Sequence, residues 1–216
     1  MDVVIDRRFR GPRDSGNGGY TCGLVASAFD GPVEVTLRVP PPLDRPLRLD
    51  EGRLWDDPVL VAEGRTTSVD VEPPAPVPFE DAERAARADV ASPFPECFVC
   101  GHARTDGLGI FAAPVPGRDV VAAPWVPHAS ETEPVFVWAA LDCPGAYATG
   151  VLGRGTVVLG RLAAEVRRRP RAGEHCVVVG WPLAAEGRKH EAGTALFGED
   201  GDVIGVARAV WIEPRR

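Results

Sequence analysis

The sequence predicts an α+β protein in which one chain holds two similar units. Each half of the 216-residue chain shows the pattern of a strand, then a helix, then several antiparallel strands. A proline-rich stretch separates the halves, and a hydrophobic content of 44% is enough for one large core or two smaller ones. The repeat lies in the order of the elements, since few residues are identical between the halves.

The second half has the clearer pattern. We expect a strand, an apolar helix that begins with proline, and then a meander of four strands separated by turn residues. In chain order, these elements cover residues 119–125, 134–149, 156–166, 175–183, 188–197 and 203–212. A sheet of this kind must bury one face, and the single apolar helix is the available cover.

The first half repeats this order in a shortened form. Its predicted strand, helix and three further strands cover residues 3–9, 17–29, 33–39, 47–54 and 59–71. The turn Pro40–Pro46 stands where Arg168–Gly173 stands in the second half. We therefore expect two sheets joined edge to edge, with the two helices adjacent.

Prolines between residues 73 and 95 exclude a sheet interior there, because proline lacks the N–H group that a strand ladder needs. A polar, alanine-rich run, Glu80–Arg87, interrupts these prolines and predicts a short helix. The chain thus divides into an N-terminal unit at residues 1–75, a linker at 76–95 and a C-terminal unit at 96–216.

Composition limits the classes of function. A formal net charge of −7 argues against nucleic-acid binding, which requires a clustered basic surface. No apolar run reaches the ~18 residues of a membrane span, and Met1–Arg8 lacks the features of a signal peptide. Five cysteines without symmetric spacing suit a reducing compartment. We expect a soluble, cytoplasmic protein that binds neither nucleic acid nor membrane.

Two short helical segments carry complementary features of one site. The segment Asn17–Ala26 begins with glycines, whose backbone N–H groups can be presented to a ligand, but it has no acid further along. The segment Phe136–Gly145 contains the acid Asp142 but has no glycines at its start. If the two segments pack against each other, they make one complete site.

Local motifs resemble those of hot-dog-fold proteins of the acyl-CoA thioesterase type. Cys97–Gly101 followed by Gly107–Phe111 resembles the Cys-x-x-Cys-Gly, Gly-Leu, Phe entry segment of these proteins. Ala139–Gly145 resembles the later part of their central helix, and Gly16–Gly19 is similar to the His-Gly-Gly that opens it. The resemblance covers most of the second half, and more weakly the first, and it implies a double hot-dog fold.

The resemblance also implies where a site would lie. In that family, helix-opening glycines polarise a thioester carbonyl, and an Asp or Glu nine residues after the histidine acts as base or nucleophile. Nine residues after Asn17 stands Ala26, and nine residues before Asp142 stands Glu133, with no glycine directly after it. Because family sites form between two hot-dog units, one composite site per chain is implied.

The implied activity is hydrolysis of an acyl thioester carried by coenzyme A or a carrier protein. Asp142 would be base or nucleophile, the Gly18 and Gly19 amides would stabilise the oxyanion, and Asn17 would orient the reacting groups. One alternative is a non-catalytic acyl or acyl-CoA binding protein. Another is a hot-dog enzyme of other chemistry, such as a dehydratase, although no histidine stands in the context that a dehydratase requires.

Each candidate residue also has a structural interpretation. Asp142 can cap a helix, the Gly16–Gly19 cluster can be a turn, and Cys143 is typical of a small buried apolar side chain. Tyr20 and Trp138 can line an acyl tunnel, although packing in the core is the default for aromatic residues.

Arg168 and Arg169 belong to the basic run Arg167–Arg171. Such a run is typical of a solvated turn. Arginine forks also suit the phosphates of a coenzyme, so both residues are candidates for substrate binding.

Cys97 and Cys100 have the spacing of metal ligands, and His102 follows closely. A structural zinc site needs a fourth ligand, and the sequence has no second pair of this kind. We therefore expect no metal and no cofactor. The sequence leaves association into a homodimer open, because hot-dog sheets often associate further.

Overall fold

The computed structural model describes residues 1–87, 92–152 and 155–215, which form one antiparallel sheet of eleven strands. The strands are β1 Asp2–Val4, β2 Val33–Leu37, β3 Pro46–Asp50, β4 Arg53–Asp56, β5 Val59–Thr66, β6 Ala113–Pro114, β7 Val121–Trp125, β8 Val158–Val166, β9 Cys176–Glu186, β10 Lys189–Phe197 and β11 Val203–Ile212. The α-helices are α1 Gly18–Ala26, α2 Phe79–Ala86, α3 Pro134–Ala140 and α4 Cys143–Ala148. None of these helices is long and apolar enough to cross a membrane.

The strand order shows the internal repeat directly. The first unit runs β1-β3-β4-β5-β2 across the sheet, and the second runs β8-β11-β10-β9-β7 before ending at β6. Read outward from the centre, β2, β5, β4, β3 and β1 match β8, β11, β10, β9 and β7. The two units meet where β2 pairs antiparallel with β8, with Val35 opposite Leu162. The predicted α+β class and the edge-to-edge join are confirmed.

The two central helices, α1 of the first unit and α3 of the second, pack against each other on one side of this sheet. Their close approach depends on glycines in α1. A Cβ atom at Gly19 would lie 2.6 Å from the Trp138 carbonyl oxygen, and one at Gly23 would lie 2.9 Å from the Val135 Cα. One large core contains buried residues of both units. The central helices and the sheet are thus two layers that pack around a shared core.

Several predicted elements differ from those observed: the strand expected at 59–71 ends at Thr66, and the helix expected at 17–29 ends at Ala26. The strand expected at 3–9 ends at Val4, because Asp6 caps a 3₁₀ turn at Arg7–Phe9 by accepting a hydrogen bond from the Arg8 N–H. The strand expected at 47–54 is the hairpin β3–β4, whose turn has positive φ at Glu51 (45°) and Gly52 (71°). The first unit therefore has four strands after its helix, as the second does.

The helix expected at 134–149 is also divided. It consists of α3 and α4, and Leu141 and Asp142 separate them. Pro144 lies in the first turn of α4, where its missing N–H costs nothing. The break matters because it places Asp142 at a helix junction instead of within a continuous helix.

Part of the proline-rich segment is packed against the second unit. The helix α2 lies over β6, β7 and β9, and the Phe79 ring stacks on His175 with centroids 4.5 Å apart. Alternate residues of β9 face opposite sides of the sheet. Val177 and Val179 therefore belong to a second hydrophobic cluster, which includes residues of α2, while Val178 lies in the main core. Residues 88–91 of the predicted linker lie outside the described residues, and the unit boundaries remain predictions.

Candidate active site

A cavity of about 280 Å³ lies between the two units, and its lining is mainly apolar. The first unit contributes the start of α1 and the connection from β2 to β3, including Pro40 and Pro41. The second unit contributes residues of α4, β8 and β11. Asn17, Gly18 and Asp142 are among the lining residues. A concave apolar site with few polar groups is the usual form of a small-molecule site.

Asn17 is held at the N-terminus of α1. Its side-chain Oδ1 accepts a hydrogen bond from the Tyr20 N–H at 2.8 Å, which is the geometry of an N-cap. Because the oxygen is engaged by that N–H, the amide nitrogen faces the other way. Asn17 Nδ2 donates to Asp142 Oδ2 at 2.8 Å.

Asp142 lies at the junction between α3 and α4. The Thr194 hydroxyl fixes this junction by donating to the Leu141 carbonyl at 2.8 Å. Asp142 Oδ2 accepts from the Gly19 N–H at 2.9 Å as well as from Asn17. The other oxygen, Oδ1, is buried and has no hydrogen-bond partner among the described residues. One carboxylate oxygen is therefore held by the opposite unit, while the other is left without a hydrogen bond from the described residues.

The electrostatic environment of Asp142 is that of a buried carboxyl group, since only 3% of the residue is exposed. Burial raises its pKa to about 7, against the opposing effect of the hydrogen bond from the Gly19 amide. The Asn17 side chain also favours the charged form. The group can thus exchange a proton near neutral pH.

The two glycines of the α1 start have different roles. The Gly19 N–H donates to Asp142, so it holds the carboxylate. The Gly18 N–H has no hydrogen-bond acceptor among residues 1–87, 92–152 and 155–215, and Gly18 lines the cavity. Of the two amides that the sequence marks as oxyanion donors, the described contacts leave only that of Gly18 unused.

Three buried cysteines share the wall of the cavity. Cys97 and Cys100 come from the segment before β6, and Cys143 is the first residue of α4. The Sγ atoms of Cys97 and Cys143 lie 3.7 Å apart. Hydrogen bonds from the Cys100 and Cys143 thiols hold the pKa of Cys97 well below its usual range. Cys143 is buried, as the sequence predicts, but its position beside Cys97 and Cys100 was not predicted.

The predicted aromatic residues lie elsewhere. Tyr20 stacks on Phe9 with centroids 4.0 Å apart, and Trp138 packs against Gly19 and Gly23 between α1 and α3. Neither lines the cavity. The aromatic residues that do line it include Tyr147 and Trp211. Tyr147 could have been expected there, because it stands one helical turn after Cys143 and so shares its face.

The predicted arginines are also outside the cavity lining. Arg168 donates to the buried carboxylate of Glu174 at 2.6 Å and to Asp202 at 2.6 Å. Arg169 pairs with Glu133 at 2.7 Å on the surface. Arg168 is thus engaged by two carboxylates, those of Glu174 and Asp202. Its proposed binding of coenzyme phosphates remains a prediction that its position does not support.

No protein-family model matches this sequence, and no curated protein matches it. Among solved structures, a candidate thioesterase II from Thermobifida fusca superposes with a TM-score of 0.66 and 14% identity, over 99% of this chain and 92% of its own. A TesB protein from Mycobacterium avium subspecies paratuberculosis gives a TM-score of 0.63 and 13% identity, over 99% and 92%.

A hot-dog-fold protein of unknown function from Alicyclobacillus acidocaldarius gives a TM-score of 0.63 at 10% identity, over 100% of this chain and 93% of its own. At these identities the likeness concerns the fold. It extends over both units and agrees with the repeated strand order described above. The chain therefore has a double hot-dog fold, with two sheets joined through β2 and β8 and two central helices in contact.

Proposed function

We propose that this protein hydrolyses an acyl thioester, carried by coenzyme A or a carrier protein, at one site built from both units. One observation carries the proposal. Asp142 from the second unit lines an apolar cavity and is held by Asn17 and the Gly19 amide of the first unit, while its second oxygen has no partner among the described residues. The Thermobifida fusca structure that shares the fold is named as a candidate thioesterase II, which agrees with this proposal.

The reacting carbonyl would sit against the start of α1. There the Gly18 N–H and the positive end of the helix dipole stabilise the negative charge that develops on the carbonyl oxygen. The acyl chain would occupy the apolar part of the cavity. Trp211 also lines the cavity, and its buried Nε1 has no partner among the described residues.

Two routes are open to Asp142. As a general base, it takes a proton from water while the water oxygen attacks the carbonyl carbon, and it then passes that proton to the thiolate that leaves. As a nucleophile, the Asp142 carboxylate attacks the carbonyl carbon and the thiolate leaves and takes a proton from solvent; water then hydrolyses the mixed anhydride to the carboxylic acid, which regenerates the carboxylate and returns a proton to solvent. Both routes yield a carboxylic acid and a free thiol and leave the enzyme unchanged.

The test is release of free thiol from a panel of acyl-CoA substrates. Replacing Asp142 with Asn keeps the size of the side chain and removes the base, so we expect kcat/KM to fall by roughly 10²- to 10⁴-fold. The matched control is Asp119→Asn, which changes an exposed carboxylate in the same unit and should keep full activity. Full turnover in a folded Asp142→Asn variant would rule out the assignment.

A non-catalytic acyl or acyl-CoA binding protein is the second candidate. It is favoured by the contact between the Gly19 N–H and Asp142, which removes one of two potential oxyanion donors. This alternative predicts saturable binding of an acyl-CoA to the wild type with no thiol release. Association into a homodimer and a cytoplasmic location stay predictions, to be tested by light scattering and by fractionation.

A further inference from the structure

The three thiols at the cavity wall form a compact cluster that thioester hydrolysis does not use. The Sγ atoms of Cys97, Cys100 and Cys143 all lie within 4.8 Å of one another, and all three residues are buried. Cys22 and Cys176, also buried, are not members. Three ligating atoms from two separate segments therefore converge on one point next to the cavity.

The spacing of the sulfur atoms fits a single tetrahedral ion. A zinc–thiolate bond is about 2.3 Å long, which places two sulfur ligands of a tetrahedron about 3.8 Å apart. The observed separation of the Cys97 and Cys143 Sγ atoms is 3.7 Å, close to that edge. No two Sγ atoms of the cluster are more than 4.8 Å apart. A movement of about one ångström is therefore enough to bring any pair to the separation that one zinc ion requires.

The backbone of the first pair supports this geometry. Cys97 and Cys100 have the Cys-x-x-Cys ligand spacing, and the Gly101 N–H donates to the Cys97 carbonyl at 2.8 Å to close the turn. A Cβ atom at Gly101 would lie 2.4 Å from that carbonyl oxygen. Glycine after the second cysteine is thus required by the tight turn that brings the two sulfur atoms together.

We propose that Cys97, Cys100 and Cys143 bind one thiophilic divalent cation, Zn²⁺, as thiolates, and that its fourth coordination position faces the cavity. As the ion enters, each thiol that is still protonated releases its proton to solvent. No fourth His, Cys, Asp or Glu joins the set among the described residues, and His102 is exposed. Water or a ligand atom in the cavity completes the coordination, as in zinc sites with an open position.

This proposal departs from the sequence-based expectation of no metal, which rested on the lack of a second Cys-x-x-Cys pair. The missing partner is Cys143, which lies 46 residues from Cys97 and is isolated in the sequence. The proposal does not depend on thioester hydrolysis, since it concerns metal uptake and not turnover. A failure of either proposal leaves the other intact.

The experiment uses the full chain, purified under reducing conditions without a metal-binding tag and stripped with a chelator. Titration with Cd²⁺ should give a thiolate-to-metal charge-transfer band in the ultraviolet that saturates at one ion per chain. Titration with Co²⁺ should give the intense visible bands of tetrahedral thiolate coordination. Zn²⁺ should displace Co²⁺, and elemental analysis of the untreated protein should find zinc.

Single replacements of Cys97, Cys100 or Cys143 by Ser should each lower the affinity for Cd²⁺ by at least tenfold. The matched controls are Cys22→Ser and Cys176→Ser, which remove buried thiols outside the cluster and should leave uptake unchanged. Circular dichroism checks the fold, and the wild-type Co²⁺ spectrum tests the number of thiolate ligands without any variant. A reduced wild type that takes up no Cd²⁺, or uptake unaffected by loss of Cys143, would overturn the proposal.

Discussion

The starts of the two central helices differ although the units share one strand order. The chain enters α1 through Asn17-Gly-Gly19, and it enters α3 through Glu133-Pro-Val135. Nine residues after these starts the difference is reversed, because the first unit has Ala26 and the second unit has the acid Asp142. Only one combination, the α1 start with Asp142, therefore unites backbone donors and an acid.

The connections beside these helix starts differ in the same way. Between β2 and β3, Pro40 and Pro41 line the cavity, and the Pro41 carbonyl accepts from the Gly16 N–H at 2.8 Å. Between β8 and β9, Arg169 pairs with Glu133 at the start of α3. At the start of α3, the position that corresponds to Asn17 thus carries a surface ion pair. The two units thus share a scaffold, while the features of the candidate site occur at only one of the two helix starts.

The largest effect is expected where the missing acid is restored. Ala26→Asp places a carboxylate nine residues after Asn17, but Ala26 is only 8% exposed and Pro134 has no N–H to offer it. A buried, unpaired charge costs about 3 to 5 kcal/mol. We expect urea denaturation at pH 7 to show this loss in the free energy of unfolding, with no gain in activity.

Ala28→Asp is the control for this substitution, because Ala28 lies two residues further on and is exposed. Its free energy of unfolding should stay within about 0.5 kcal/mol of the wild type. A stable Ala26→Asp protein with higher turnover would show that α3 supports a second site despite its proline.

The second effect tests the arginine-rich connection. Arg168→Ala removes the closest arginine from the fully buried side chain of Glu174 and leaves it with the Arg171 N–H and a longer 3.6 Å contact to the Arg171 guanidinium, which should cost about 3 kcal/mol at pH 7. The hydrogen bond from Arg168 lowers the pKa of Glu174, so the contribution is present at neutral pH and is lost as the pH falls. The difference between wild type and variant should shrink below about pH 4.3.

Arg169→Ala serves as the control, because its pair with Glu133 is exposed and should contribute less than about 1 kcal/mol. Denaturation at a series of pH values measures both variants. If Arg168→Ala instead raises the KM for an acyl-CoA without changing stability, the arginine contacts the substrate as the sequence suggests.

The third effect separates packing from site geometry at the helix contact. A Cβ atom at Gly19 would lie 2.5 Å from the Asp142 Cβ, and one at Gly23 would lie 2.9 Å from the Trp138 Cβ. Both Gly19→Ala and Gly23→Ala should lose about 1 to 3 kcal/mol through overpacking. Only Gly19→Ala should also lower kcat strongly, since it displaces the acid. Equal kcat values in the two folded variants would contradict this role for Gly19.

The smallest effect concerns Asn17, which both caps α1 and donates to Asp142. Asn17→Ala removes both contacts and should cost about 1 kcal/mol of stability. Asn17→Ser keeps a good cap but is too short to reach Asp142, so its stability should be near that of the wild type. Both should reduce hydrolysis by about tenfold, in line with loss of a hydrogen bond to a charged group. Unchanged hydrolysis by Asn17→Ser would assign Asn17 to capping alone.

Much of the fold could be predicted from patterns that are local in the sequence. The strands of the second unit either alternate apolar and polar residues or are apolar over long stretches, and the turns between them contain glycine. The hairpin at Glu51–Gly52 was missed because a two-residue turn interrupts an otherwise continuous strand pattern. The break before Cys143 was missed too, although Pro144 marks the first turn of a new helix.

The candidate site was harder to predict, because its contacts join distant parts of the chain. Asn17 and Asp142 are 125 residues apart, and only the resemblance of the two helix segments indicated that they meet. The cavity walls and the position of Cys143 beside Cys97 depend on how the units pack, which local patterns do not record. Tyr20 and Trp138 illustrate this limit, since both are buried but neither lines the cavity.

The pairing of β2 with β8 makes each unit a permanent neighbour of the other. In a symmetric homodimer, every substitution appears on both sides of the interface. A single chain has no such constraint, so a proline can enter the start of α3 while the start of α1 keeps its glycines. Covalent union of the units thus lets the two helix starts change independently, because each unit has to keep only its own part of the one candidate site.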